Sequence, residues 1–457
     1  MSLRSIAGMA VAFVIAFTTA ATAAPSASAG IVSPIADVCF TEHTGDTTTD
    51  FSSPDAKALR DAVAAVAPGG TVKVAGTCAG AVLGGGTTQV ALVTKAITLI
   101  GGFVPSDWTT SYPLTQPTIL DGQLGGRVLF FSGADANVAN LVVQNGSEAS
   151  THGGGIYASG ALSMNNVSVI SSTAQFAGGG AFAMDAVTVT GGLFQNNRAV
   201  TYDGGGLYGS SSVTLAGTQF VGNKAQTSGG GVRAQGPLSV TGGVFEGNSA
   251  GNQGGGLYAY KSLALTSAKF IANMAVSGGG VYHYGGVLQN SESALLVNAL
   301  FARNTAQSFG AAVYFDHPST ADVIHTTVAS PTIASASAFF VGSGTIRITN
   351  TIVASHTTGF NRGIGTVFED YTLFDAVPTP RGSGVLAGTH SFTGTTGFAA
   401  PAADNYRLSS ASSALDAGVD AGVGTDFEGT TRPFGAGFDI GYDEWVPPRA
   451  YLPLLAR

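Results

Sequence analysis

Charge is scarce in this sequence: aspartate, glutamate, lysine and arginine make up only 10% of 457 residues, and just 19 are basic. With a net charge of −8, the chain has no lysine and arginine cluster of the kind that nucleic acid requires, so that partner class is excluded. Intrinsic disorder is excluded for the bulk of the chain as well, because it needs few hydrophobic residues, and here they reach 44%. Long apolar runs are missing. The stretch Ile6 to Phe17 is shorter than the ~20 residues a bilayer span needs, and no later segment is long enough. Arg4 precedes that stretch, and the small-x-small sites Ala21-Thr22-Ala23 and Ala27-Ser28-Ala29 follow it. This pattern predicts a signal peptide over residues 1–29, and hence a secreted or cell-surface chain with no membrane span once mature. Cysteine is nearly absent. Cys39 and Cys78 are expected to form one disulfide after export, and a zinc site is the weaker reading because no His or Cys cluster surrounds them.

Glycine is plentiful, with 66 residues, and it is periodic. Gly-Gly-Gly triplets begin at Gly153, Gly178, Gly204, Gly229, Gly254 and Gly278, and a degenerate copy starts at Gly310. A second marker, Phe-x-x-Asn, keeps the same step: Phe194/Asn197, Phe220/Asn223, Phe245/Asn248, Phe270/Asn273 and Phe301/Asn304. Two markers in phase at about 25 residues indicate a repeat architecture. Inside each unit the apolar period is two, as in Val187/Val189 and Leu238/Val240, so the units are strands with one buried face. A unit this short cannot bury its own apolar face, so stacking is required. The predicted fold is all-β: a right-handed parallel β-helix, its hand following the rule for parallel crossovers. The Phe positions should form an internal column, and the Asn positions a turn column bonding from coil to coil.

Ser53 ahead of Asp55 to Val63, with Pro68-Gly69-Gly70 behind, reads as a short amphipathic helix capping the first coil. The predicted organisation is a signal peptide at 1–29, an N-terminal cap with helix and disulfide at 30–86, the β-helix at 87–404, a segment closing the far end at 405–447, and a tail at 448–457. From Tyr284 to about Ala400 the markers fade, and the coils there are expected to be irregular.

These residues resemble exported, surface-anchored right-handed β-helix repeat proteins of bacteria. The pairing of Phe-x-x-Asn with Gly-Gly-x is similar to that of polymorphic outer membrane proteins, which are adhesin-like passengers. Ala58-Leu59-Arg60-Asp61-Ala62, Thr98-Leu99-Ile100-Gly101-Gly102 and Leu120-Asp121-Gly122 are similar to the opening segment of the group. Asn405-Tyr406-Arg407-Leu408, Ala414-Leu415-Asp416-Ala417-Gly418, Thr425-Asp426-Phe427-Glu428-Gly429 and Asp439-Ile440-Gly441 are similar to its closing segment. The resemblance implies a surface location and brings no assured activity. Polymorphic outer membrane proteins end in a translocating barrel with a terminal aromatic; this sequence ends Leu454-Leu455-Ala456-Arg457, which speaks against autotransport.

A polysaccharide lyase or glycoside hydrolase is the rival expectation, because such enzymes use β-helices. Hydrolysis needs two carboxylates at defined separation, and on a solenoid one column is the natural place for them. In the regular coils no acid stacks on another: Asp203, Asp185 and Glu246 align with His, Ser, Gly, Gln, Val and Ile. An active site would therefore lie in the irregular coils. Toward the C-terminus, Asp416, Asp420 and Asp426 have two readings, as acceptors for turn amides or as a structural calcium site with oxygen ligands. His283 and His317 are expected at the surface, and Arg233 and Arg303 in solvent. No organic cofactor is implied.

One column suggests binding. The residue after each apolar post-triplet position is Tyr157, Phe182, Tyr208, Arg233, Tyr258, Tyr282 or Tyr314, with Tyr260 and Tyr284 two residues further on. Alternation points this row outward, either as a stacked support for the sheet or as a platform for an extracellular glycan or surface protein.

Overall fold

The computed structural model describes residues 38–286, 292–317 and 320–447, and in them the chain is a parallel β-helix of about 12 turns with roughly 25 residues per coil. The proposed signal peptide and the tail lie outside the described residues. Among the described residues, no helix is long and apolar enough to cross a membrane.

One coil shows how the repeat becomes structure. After the triplet at Gly229 come four short strands, Val232–Ala234, Leu238–Thr241, Val244–Glu246 and Ser249–Ala250. The first joins a 13-stranded sheet, the next two a 25-stranded sheet, and the last a 7-stranded sheet. Every partner is the equivalent strand one coil away: Leu207 pairs with Val232, Leu215 with Val240 and Phe220 with Phe245, all in parallel. A left-handed residue splits the middle arm in two, held by Asn140, Asn166, Gly191, Gly217, Gly242, Ser267 and Asn298 in successive coils. Asn and Gly adopt that conformation at least cost.

The triplets are required by close approach. Gly229 has φ +67°, and a Cβ on Gly230 would lie 2.3 Å from the carbonyl oxygen of Gly255 in the next coil. Inside the bore, Phe194, Phe220, Phe245, Phe270 and Phe301 stack with centroids 4.5–5.0 Å apart, each 1% exposed or less.

Beside them runs the Asn ladder. Asn248 Nδ2 donates to Asn273 Oδ1 at 3.0 Å and to the Phe220 carbonyl at 2.8 Å. Its Oδ1 accepts from the backbone N–H of Asn223 at 3.0 Å and from Asn223 Nδ2 at 2.9 Å. Asn223 and Asn273 repeat the pattern, and Asn197 differs only in that its Oδ1 accepts from the Ser172 backbone N–H alone, so these buried amides are all bonded.

A short helix packs on the core near the N-terminal end. Helix Lys57–Ala65 buries Ala58, Leu59, Ala62 and Val63 in the main core. Ser53 Oγ accepts the Ala58 N–H at 2.8 Å. The Cys39–Cys78 disulfide is present, with Cα atoms 4.6 Å apart.

The far end departs from expectation. Residues 405–447 pack on side chains of the 25-stranded sheet, and none of them belongs to the main core. Tyr406, Leu408, Ala414, Ile440 and Tyr442 form a second core with Ile271, Leu300, Ala302, Ala329, Ile352 and Leu373 from several coils. The reason is visible in one outer column, which runs Gln195, Val221, Glu246 and then Ile271 and Ala302. Where it turns apolar, it needs a cover.

Candidate functional site

Alternation correctly places the aromatic row outside the bore: Ile156, Ala158, Leu257 and Ala259 belong to the main core, and the residues between them do not. The row is longer than the repeat had suggested, because Phe130 pairs below Tyr157 and Phe340 above Tyr314. Centroids of neighbouring rings stand 5.2 Å apart for Phe130–Tyr157, 5.4 for Tyr157–Phe182, 5.1 for Phe182–Tyr208, 5.2 for Tyr258–Tyr282 and 4.7 for Tyr282–Tyr314. Arg233 fills the gap, its guanidinium 4.1 Å from the Tyr258 centroid and 3.6 Å from Asp203 Oδ2.

The expectation of a solvent-facing platform is corrected for much of this row. Phe182, Tyr258 and Tyr282 are only 3–5% exposed and Arg233 only 9%, so Arg233 is not solvated. At a coil spacing near 5 Å, flat rings cover one another's faces and leave only edges to meet water. Neighbours add to this cover: the His152 ring stacks on Phe182 at 4.4 Å, and Tyr282 Oη donates to Asp316 Oδ2 at 2.6 Å. Burial pushes the Tyr258 hydroxyl up to about 12, and burial with the Asp316 hydrogen bond raises that of Tyr282 further. Tyr157 and Tyr208 keep partial exposure. The row is chiefly a second, external stack that holds the sheet.

Tyr260 and Tyr284 behave differently. Both are half-buried, with centroids 5.2 Å apart and planes tilted by 35°. Tyr284 also meets the His317 ring edge-on at 5.6 Å, and Asp316 Oδ1 holds His317 Nδ1 at 2.6 Å. Tyr260, Tyr284 and His317 thus form a partly exposed aromatic group with a fixed polar edge. His317 is at the surface as expected.

His283 is not. It is fully buried, its Nε2 donating to the Lys261 carbonyl at 2.9 Å, and burial lowers its pKa to about 4. It occupies an inward position, in register with Ala259 and Phe315. Arg303 is partly exposed but paired, its guanidinium forking onto Asp404.

The C-terminal acids serve backbone amides. Asp416 Oδ1 accepts from Ala436 and Gly437, Asp420 from Gly422, and Asp426 from Glu428, Thr430 and Glu444. Asp416, Asp420 and Asp426 thus hold separate turns, and among the described residues no group of three His, Cys, Asp or Glu stands ready to hold a metal. Around them, Arg432 and Glu444 form a fully buried ion pair at 2.7 Å. Burial pushes the Asp443 carboxyl up to about 7.

Among the described residues of the irregular coils, the paired strands bring no carboxylate onto another. Asp322 stands between Leu295 and Arg347, Asp316 pairs with Tyr284, and Glu369 stands between Ile348 and Ala387.

No curated protein and no solved structure matches the chain. Residues 242–260 match the model of the Chlamydia polymorphic membrane protein repeat. The match spans Phe245, Asn248, the triplet at Gly254 and Tyr258, which are an internal ring, a ladder amide, a close-approach turn and an outer ring of one coil. The chain is a parallel β-helix in which one stretch, residues 242–260, is similar to the polymorphic membrane protein repeat, and that repeat suggests an outer-membrane or surface protein.

Proposed function

We propose that the protein is a non-catalytic, exported β-helix that acts in adhesion, reaching the surface by way of the N-terminal signal peptide. Its contact patch is Tyr260, Tyr284 and His317, and its partner is an extracellular glycan or a surface protein. The observation that carries this reading is the half-buried tandem of tilted tyrosine rings beside the exposed His317, set apart from an aromatic row whose faces are largely covered. Two rings on successive coils can receive consecutive units of an extended polymer. The register of the acids supports a binding role over hydrolysis, which needs paired carboxylates.

The test compares beads coated with the full chain and with a Tyr260→Ala/Tyr284→Ala variant on glycan-coated and cell surfaces. Each stacking contact is worth about 1 kcal/mol, so binding should weaken about 30-fold while the circular dichroism spectrum is unchanged. Undiminished adhesion would refute the patch. Release of reducing ends or unsaturated products from polysaccharides would refute the non-catalytic role.

A further inference from the structure

We infer that the last coils carry a second, separate site: a shallow depression suited to a carboxylated sugar. Strands Thr345–Ala354 and Thr366–Asp375 lie side by side, with Arg347 beside Phe368 and Thr349 beside Asp370. The next strand, Leu386–Ala387, is only two residues long and pairs Leu386 with Phe368. The sheet stops there, so its outward side chains have little cover. Phe368 is 43% exposed and Leu386 49%, and Arg347 is exposed. Together with Thr349, Asp370 and Gly388 they line a depression of about 300 Å³.

Its polar groups are of two kinds. Arg347 has no ion-pair or hydrogen-bond partner among the described residues, although Asp322 stands one coil below it in register. Asp370 is fixed. It accepts from the backbone N–H of His390 at 2.9 Å, from His390 Nδ1 at 3.0 Å and from the Tyr371 N–H at 2.9 Å. Burial alone would raise its pKa, but these hydrogen bonds outweigh that and hold it below the usual carboxylate range. The His390 ring stacks on Tyr371 at 4.4 Å, which steadies the pair. Gly388 makes room for it, because a Cβ there would fall 2.1 Å from the Asp370 carboxyl carbon.

A free guanidinium, an exposed aromatic ring and an ordered carboxylate make a definite set. On a β-sheet, Arg347 and Phe368 are about 5 Å apart across the strands, and Phe368 and Asp370 about 7 Å apart along one. The guanidinium suits a carboxylate, the ring suits the C–H face of a pyranose, and Asp370 accepts from hydroxyls. Those three features occur together in uronic-acid saccharides. This site lies on different coils from Tyr260 and Tyr284 and does not rest on the adhesive reading.

The experiment is a calorimetric titration of the full chain with trigalacturonate, with maltotriose as the uncharged control. Trigalacturonate should bind, maltotriose should bind at least tenfold more weakly, and added salt should weaken the acidic ligand only. Arg347→Gln and Phe368→Ala should each weaken trigalacturonate about tenfold, through one lost charged contact and one lost ring face. Tyr260→Ala/Tyr284→Ala should leave it unchanged. No heat with trigalacturonate at millimolar concentration, equal binding by Arg347→Gln, or equal affinity for maltotriose would overturn the assignment.

Discussion

Replacing Asn248 by alanine removes four hydrogen bonds from the centre of the ladder at once. Asn273 Oδ1 keeps the backbone N–H of Asn248, so it is not orphaned. Asn223 fares worse, because its backbone N–H and one Nδ2 hydrogen both lose their acceptor inside a fully buried turn. A buried donor left unsatisfied costs about 1–3 kcal/mol, so two of them predict a loss of about 2–6 kcal/mol. The structure supplies its own control. Ser172 stands in the ladder column below Asn197, and its Oγ accepts the Gly146 N–H at 3.2 Å. Asn248→Ser should therefore rescue one of the two donors and lose only about 1–3 kcal/mol. Urea unfolding would give the totals, and hydrogen exchange should show faster opening confined to coils around Phe220 to Asn273. An alanine variant that loses less than about 1 kcal/mol, or alanine and serine variants that lose the same, would refute the account of the ladder.

Two further outcomes follow from the ends of the molecule. Joint replacement of Cys39 and Cys78 by serine frees a loop with a sequence separation of 39 residues, and it should cost about 4 kcal/mol on chain-entropy grounds; thiol titration of the exported protein finding two free cysteines would contradict the bridge. At the flank, burial first and then the charge of Arg432 hold His325 down to about 3, against about 6.5 for an unfolded histidine. The unfolded chain therefore takes up this proton first, and stability falls as pH drops through that window. His325→Asn keeps a residue suited to the left-handed turn, as Asn298 and Asn350 do in the same column. Its melting temperature should rise relative to the parent protein as pH is lowered from about 6.5 toward 3, and a pH-independent difference would refute the burial of a neutral ring.

The repeat made the coil legible because its two markers are each required at every level of the stack. Gly230 must be glycine to pass under Gly255, and Asn248 must be an amide to serve Asn223 and Asn273 at the same time. His283, expected at the surface, was misplaced although the signal was there, since it lies two residues after Val281 and alternation turns it inward. The lateral docking of the C-terminal segment was written less plainly. It appears only on following one outer column upward to the change from Glu246 to Ile271, where a polar surface becomes an interface. The covered state of Tyr258 and Tyr282 could not be read from alternation, which tells in from out but says nothing of how rings shield each other. The depression beside Arg347 depends on where the sheet stops, and no periodic signal marks that.

Because each coil offers its neighbours the same donors, acceptors and rings, the number of coils is a free variable. Excising residues 229–253 would bring Gly204 to Gly206 under Gly254 to Gly256, Phe220 onto Phe270 and Asn223 onto Asn273. Every column would close again, about 5 Å shorter. The aromatic row would even gain continuity, since Arg233 leaves with the excised coil and Tyr208 meets Tyr258 directly. Unequal recombination between such repeats lengthens or shortens the rod without asking for a new fold. The distance from the N-terminal cap to the last coils can then be selected as a length in its own right, independently of whatever the coils display.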